Sequence, residues 1–288
     1  MFVIVGLLIV IGCVLGGYLG AGGKFGILIQ PLELVIIGGS ALGAFVAGNP
    51  KVVVTRAFSA FGALLKGSRY GKESYLELMS LLFVIFKLLR TKGPLALEPH
   101  IEKPEESSIF QQFPIFHKDH HAVDFLCDYL RLLTLGTDSP HIMEDLMNEE
   151  IETHHLEQQQ ITKAVQNVAD GLPALGIVAA VLGVIKTMTH ISEPPEVLGG
   201  LIAMALVGTF LGVFMAYGFV APTANALKST YEAEGRYLAC IKAGLLAHMH
   251  GYAPAVAVEF ARKALLSNVR PSFLEVEQTC SELPPISA

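Results

Sequence analysis

The chain has no tryptophan and little charge: 16% of its 288 residues are Asp, Glu, Lys or Arg, while 52% are hydrophobic. Soluble domains carry about 25% charged residues, so the shortfall places part of the chain in lipid. Without tryptophan, any aromatic belt at the membrane–water boundary has to come from Tyr and Phe. Cysteine is also scarce. Cys13, Cys127, Cys240 and Cys280 are far apart and form no C-x-x-C pair, so neither a disulfide framework nor a zinc ribbon is implied. A net charge of −6 argues against nucleic-acid binding, which needs a basic face. There is no nucleophile elbow and no triad, so no enzyme activity and no cofactor are expected.

What is present is a set of long apolar runs. A bilayer takes about 20 predominantly apolar residues to cross. The first run extends from Phe2 to about Leu19, with no charge before Lys24. A signal peptide would need a basic start and a small-residue cleavage site, so this run reads as an uncleaved span. The second runs from about Leu34 to Ala47 and closes at Gly48-Asn49-Pro50, with Glu33 at its outer rim. The third begins after Asp170 and runs from Leu172 to about Ile185. The fourth runs from about Leu198 to Val220, joined to the third by Ser192-Glu193-Pro194-Pro195-Glu196. Spans three and four therefore form a tight hairpin.

Residues 51–170 are charged apart from one apolar run, Tyr75 to Leu89. Glu77 and Lys87 interrupt that run, so it reads as a buried helix of a soluble bundle, with a re-entrant segment as the alternative. The tail after Leu227 is again charged and helical in pattern, ending in Leu283-Pro284-Pro285. Positive charge gathers after span two (Lys51, Arg56, Lys66, Arg69, Lys72) and in the tail (Lys228, Arg236, Lys242), against Lys24 and Lys186 on the short loops. The positive-inside rule then makes the large loop and both termini cytoplasmic. The expected fold is an all-α polytopic membrane protein with four transmembrane helices and a cytoplasmic helical domain. Its divisions are spans one and two (1–50), the cytoplasmic domain (51–170), the hairpin (171–222) and the tail (223–288).

An ion path through a membrane normally uses a carboxylate inside a span. Here no Asp or Glu lies in the middle of any span; Asp170 and Glu33 are at rims. If the chain conducts ions, another chain must supply the titrating group. Small residues recur at four-residue spacing in Gly12, Gly16, Gly20, in Gly39, Gly43 and in Gly208, Gly212, and Gly176, Ala180 and Gly183 share one face of span three. Such spacing serves close helix packing, either within one subunit or between subunits. Pro173 reads as a first-turn proline with Asp170 as its cap, and Pro222 as the terminator of span four. The Thr209 hydroxyl either bonds back to its own helix or faces a pore.

Two motifs are rejected. Gly67-Ser-Arg-Tyr-Gly71-Lys72-Glu73 is one residue short of a phosphate loop and has Glu where a magnesium-binding Ser or Thr must stand. His117, His120, His121 and Asp124 match no standard ligand spacing, so no metal site is assigned. His154-His155 reads as part of a solvated acidic helix.

The segment Gln30-Pro31-Leu-Glu33-Leu-Val-Ile-Ile-Gly-Gly resembles the second-span entry of the MotA family of flagellar motor stator subunits. So do Asp170-Gly-Leu-Pro173-Ala-Leu-Gly176-Ile-Val-Ala-Ala-Val, Leu206-Val-Gly-Thr209-Phe-Leu-Gly and Tyr217-Gly-Phe-Val-Ala-Pro222. The tail stretches Gly251-Tyr-Ala-Pro254, Val258-Glu259-Phe260 and Arg270-Pro-Ser-Phe273 match as well. The resemblance implies a homo-oligomer, a pentamer around a MotB dimer, with each MotB contributing a membrane helix whose Asp binds the ion. It implies an ion path and conformational coupling at Pro173, Ala180, Thr209, Tyr217 and Pro222. Arg90 and Glu98, and with less weight Glu150, match charges that meet the rotor protein FliG. Sodium-driven relatives tend to carry Thr where this chain has Ala180, so H+ is the expected coupling ion rather than Na+. The alternatives are a sodium-driven stator and a proton-channel subunit like ExbB and TolQ, which typically have three spans.

Overall fold

The structure is a computed structural model that describes residues 2–66, 70–137 and 139–283. The start of the rejected phosphate loop, Gly67 to Arg69, and the terminal Pro284-Pro285 lie outside the described residues, as does the Lys66 side chain. Among the described residues every regular element is helical. The α-helices are α1 (Phe2–Gly20), α2 (Phe25–Leu28), α3 (Pro31–Leu34), α4 (Ser40–Gly48), α5 (Lys51–Lys66), α6 (Lys72–Lys92) and α7 (Glu98–Glu102). They continue with α8 (Pro114–His117), α9 (His120–Thr134), α10 (Pro140–Met188), α11 (Pro195–Met215), α12 (Ala221–Met249), α13 (Pro254–Lys263) and α14 (Phe273–Ser281). Two π-helical turns, Val35–Gly39 and Ala216–Val220, join α3 to α4 and α11 to α12 without a break.

Four helical stretches are long and apolar enough to cross a membrane, and they contain the four expected spans. With 19 residues, α1 is about 28 Å long at 1.5 Å per residue, close to the hydrocarbon thickness. Its side chains, Leu8 and Ile9 among them, are largely exposed in the isolated chain, as lipid-facing residues should be.

The chain divides into two compact units. The first comprises residues 1–67 and 157–230, the second residues 68–156 and 231–288. In the first unit Ile37, Ala41, Leu172, Ala179 and Ala216 form one buried apolar cluster. The π turn at Ala216–Val220 lies against α1, where a methyl on Gly218 would sit 3.2 Å from Cγ1 of Val10.

Two expectations about helix ends are corrected here. Pro173 does not start a helix: it lies inside the 49-residue α10. Asp170 is not a cap; it accepts a hydrogen bond from Nε2 of Gln166 at 2.8 Å. Pro222 does not end span four, because the helix runs on through α12. A proline ring clashes with the carbonyl four residues back. The π turn that ends at Val220 contains Gly218, four residues before Pro222, and widens the helix there, carrying it past the ring.

In the second unit the apolar run from Tyr75 to Leu89 forms the buried heart of α6, packed against α13 and α14. That settles the re-entrant alternative: Leu78, Met79, Leu81, Leu82 and Phe86 are enclosed by protein. The two charges in the run are accommodated separately. Glu77 accepts a hydrogen bond from the backbone N–H of Phe116 at 2.7 Å, and Lys87 is exposed. The helices close tightly at Gly244, where a methyl would meet Leu82, Phe86 and Ala261 at 3.2–3.3 Å.

The tail motifs have a structural role in this unit. Arg262 clasps the Glu259 carboxylate with Nε and Nη2, both at 2.6 Å, and donates from Nη1 to the carbonyl of Pro271 at 2.8 Å. The guanidinium holds the Glu259 carboxyl below its ordinary pKa. Arg270 donates from Nε to the Leu265 carbonyl, and Ser272 and Glu275 form a capping box that starts α14.

Candidate functional site

Within the first unit, α10 and α11 meet backbone to backbone. A methyl placed on Gly176 would lie 2.8 Å from the carbonyl oxygen of Gly208, and one on Gly212 would lie 2.7 Å from Cα of Gly176 and from the carbonyl oxygen of Leu172. A methyl on Gly208 would lie 2.9 Å from the backbone nitrogen of Ala180, and one on Gly183 would lie 2.7 Å from Cβ of Ala205. This seam explains the glycines of spans three and four as packing within one chain. The reading of those two spans as a contact between subunits is not needed. By contrast, Gly12, Gly16, Gly20, Gly39 and Gly43 have nothing within 4 Å of a methyl position.

The five residues expected to form the ion path lie along this hairpin and its continuation. Pro173 and Ala180 are half-buried on α10. Pro173 adjoins Leu172, whose carbonyl faces Gly212, and Ala180 sits against Gly208. Thr209 follows Gly208 and is half-buried. Thr187, Thr223 and Thr230 each donate a hydroxyl to the carbonyl four residues back. The Thr209 hydroxyl has no hydrogen bond among the described residues, so it does not do what the bland alternative requires. Tyr217 stands in the π turn and is 66% exposed, with its ring turned away from the interior of its own chain. Pro222 is exposed, two residues beyond the end of that turn. The structure thus brings Ala180 to the residue next to Thr209, and it places Tyr217 and Pro222 on one distorted stretch of helix.

A cavity of about 190 Å³ adjoins the hairpin and is lined by apolar side chains, Phe45, Phe58, Val168 and Met215 among them. No carboxylate enters it. Glu33 lies in α3 with one carboxylate oxygen enclosed and without a hydrogen-bond partner among the described residues.

The three rotor-facing candidates lie in the second unit and differ. Arg90 lies in the last turn of α6 and Glu98 begins α7; both are exposed, and neither joins a salt bridge among the described residues. Glu150 accepts a 2.6 Å hydrogen bond from the hydroxyl of Tyr129. Burial and that carboxylate push the Tyr129 pKa upward, so the hydroxyl stays a donor. Glu150 therefore has a local structural role that its sequence does not reveal. Tyr129 also marks a residue missed by sequence reasoning, since no local pattern pairs positions on different helices.

Comparison with known proteins bears on this arrangement. The family model Motility protein A N-terminal matches residues 4–93, and the model MotA/TolQ/ExbB proton channel family matches residues 117–239. Motility protein A of Salmonella typhimurium is 44% identical over 278 residues, covering 96% of this chain and 94% of the relative. The flagellar MotAB stator complex from Bacillus subtilis has a chain that superposes with a TM-score of 0.72 at 26% identity, covering 89% of this chain and 92% of that one. A C. jejuni MotAB structure shares the fold with a TM-score of 0.78 at 20% identity, covering 94% of this chain and 98% of that one. The match to residues 4–93 lies on α1 to α6, outside the part common to the wider channel family, and it decides between the stator and the ExbB-like alternative. On these grounds the chain is a membrane protein that belongs to the motility protein A family, the stator subunits of flagellar motors.

Proposed function

We propose that this chain is the ring-forming stator subunit of a proton-driven motor, working with MotB in the bacterial inner membrane. The observation that carries the reading is the acid-free middle of the α10–α11 hairpin. The seam is closed by backbone contact and offers no carboxylate, so the titrating Asp comes from another chain. The solved relatives are MotAB complexes, and MotB is that source. Five copies of this chain around two MotB helices follow from the family resemblance. The reading assigns the chain no catalysis and no cofactor.

The coupling ion is H+. Sodium needs several oxygen ligands once it sheds water, whereas a proton needs a carboxylate and a hydrogen-bonded route. Ala179 and Ala180 bring no oxygen from their side chains to the crossing, and Thr209 offers the one unengaged hydroxyl beside it. Each proton crossing supplies about 2.3 kcal/mol per 100 mV of membrane potential, enough to bias a two-state rotation of the ring. Cells driven by this stator should swim normally without external sodium and stop on addition of a protonophore. Swimming that needs sodium and survives the protonophore would overturn proton coupling.

Both termini and residues 51–170 are cytoplasmic, on the strength of the Lys and Arg placement. In a cysteine-free background, a membrane-impermeant thiol reagent should label Glu193→Cys in intact cells and leave Glu98→Cys untouched. Labelling at position 98 would refute the orientation.

Arg90 and Glu98 are the contacts to FliG of the rotor, consistent with their exposure, while Glu150 acts through Tyr129. Opposite charges guide approach at a transient interface and like charges repel. Arg90→Glu should cut swimming speed severely at normal stator level, and a matching charge reversal on the rotor should restore part of it. Loss of the protein from the membrane would instead make Arg90 structural.

A further inference from the structure

In the second unit, three helices bring His121 of α9, His154 of α10 and Glu234 of α12 to one point. The two imidazole rings stack with centroids 4.2 Å apart and planes 28° from parallel. One oxygen of Glu234, Oε1, lies 3.9 Å from Nδ1 of His121 and 4.0 Å from Nε2 of His154. The three prospective ligand atoms all fall within 4.8 Å of one another. Their side chains are 40%, 21% and 20% exposed, so the cluster is sheltered and still reachable from solvent.

The geometry points to a binding site for a single divalent transition-metal ion, Zn2+ above all, held by His121, His154 and Glu234. Zinc bonds of about 2.0–2.2 Å to nitrogen and oxygen, arranged tetrahedrally, put neighbouring ligand atoms roughly 3.4 Å apart. Both nitrogen–oxygen separations need to close by only about half an ångström, within reach of small side-chain rotations. Two neutral imidazoles and one carboxylate form a borderline donor set that suits zinc, whereas magnesium and calcium require six or more oxygens. Three protein ligands leave the fourth position to water.

The site is selective among neighbouring histidines. His117 and His120 face Glu105, through Nε2 at 3.0 Å and Nδ1 at 3.6 Å. The histidines that lie close together in sequence, His117, His120 and His121, are therefore split, and His121 alone turns to the triad. A bound ion would tie α9, α10 and α12 together inside this unit and stabilise it by mass action.

The test uses the full chain, purified in detergent with its partner, without a polyhistidine tag, and stripped with a chelator. After equilibration with ZnCl2 and gel filtration, about one zinc per chain should remain, and the thermal midpoint should rise with Zn2+ but not with Mg2+. His121→Ala and Glu234→Gln should each weaken zinc binding by roughly 100-fold or more, while His155→Ala keeps it. Glu234→Gln preserves shape, so it answers the question even if His121→Ala does not fold. Co2+ should give the strong visible bands of a tetrahedral site in the unaltered chain and not in Glu234→Gln. Equal zinc retention by the unaltered chain and Glu234→Gln, or equal loss in His155→Ala, would overturn the assignment.

Discussion

Gly176→Leu is expected to remove the stator from the membrane and stop motility completely. In an ordinary exposed helix, replacing glycine gains about 0.5–1 kcal/mol because glycine is a poor helix former. At position 176 the sign reverses. Even a methyl would lie 2.8 Å from the Gly208 carbonyl oxygen and 3.0 Å from Cα of Gly212. Both are backbone atoms and have no rotamer by which to move aside, so the helices must separate. Overpacking by a single methyl costs about 1–3 kcal/mol, and leucine adds a bulk that no local shift absorbs. Gly176→Ala should give an intermediate loss. Gly12→Ala, made where nothing lies within 4 Å, should leave membrane protein at the unaltered level. The measurement is membrane protein level by immunoblot beside swimming speed. Normal level and speed for Gly176→Leu would show that the seam does not exist in the membrane.

Pro173→Ala should separate stability from function. Proline has no N–H to offer the carbonyl of Ala169, and an interior proline costs a helix about 3 kcal/mol. Alanine restores that bond, so the isolated chain should unfold at an equal or higher temperature. If Pro173 has the coupling role proposed above, in which the weakened point in α10 lets the hairpin yield when the partner's Asp gains a proton, motility should nevertheless fall to near zero. Membrane helices tolerate such a proline when surrounding helices satisfy the freed carbonyl. Pro173→Ala cells that swim normally at normal protein level would end this role for Pro173.

These two positions also show where sequence reading succeeds and where it stops. The spans were legible because hydropathy over about 20 residues is a strong signal, and Glu77 and Lys87 marked α6 as soluble. Helix continuity was not legible. Asp170-Gly-Leu-Pro173 and Ala221-Pro222 carry the punctuation that ends helices in water, yet α10 and α12 run through both. That rule is calibrated on helices in water, whereas an apolar environment favours helix continuity, and near Pro222 a π turn widens the helix. The spacing of small residues was legible, but which glycines face a neighbour within the chain was not, since Gly176 and Gly12 look alike in sequence. His121, His154 and Glu234 were out of reach for the same reason. They meet only once three helices have packed, and no local pattern encodes that meeting. The rotor charges Arg90 and Glu98 rest on family resemblance, because an exposed charge carries no local sign of its partner.

The seam between α10 and α11 has a mechanical consequence. Most protein contacts are cushioned by side chains, which hop between rotamers and soak up small displacements. At Gly176, Gly208 and Gly212 there is no such cushion; main chain bears directly on main chain. Nothing there can rearrange, so a push on one strut arrives undiminished at the other. The two struts behave as a single stiff spar, and compliance has to sit elsewhere, at the π turn and the two prolines. A machine that converts small ionic steps into motion loses little stroke to slack when its spars are built in this way.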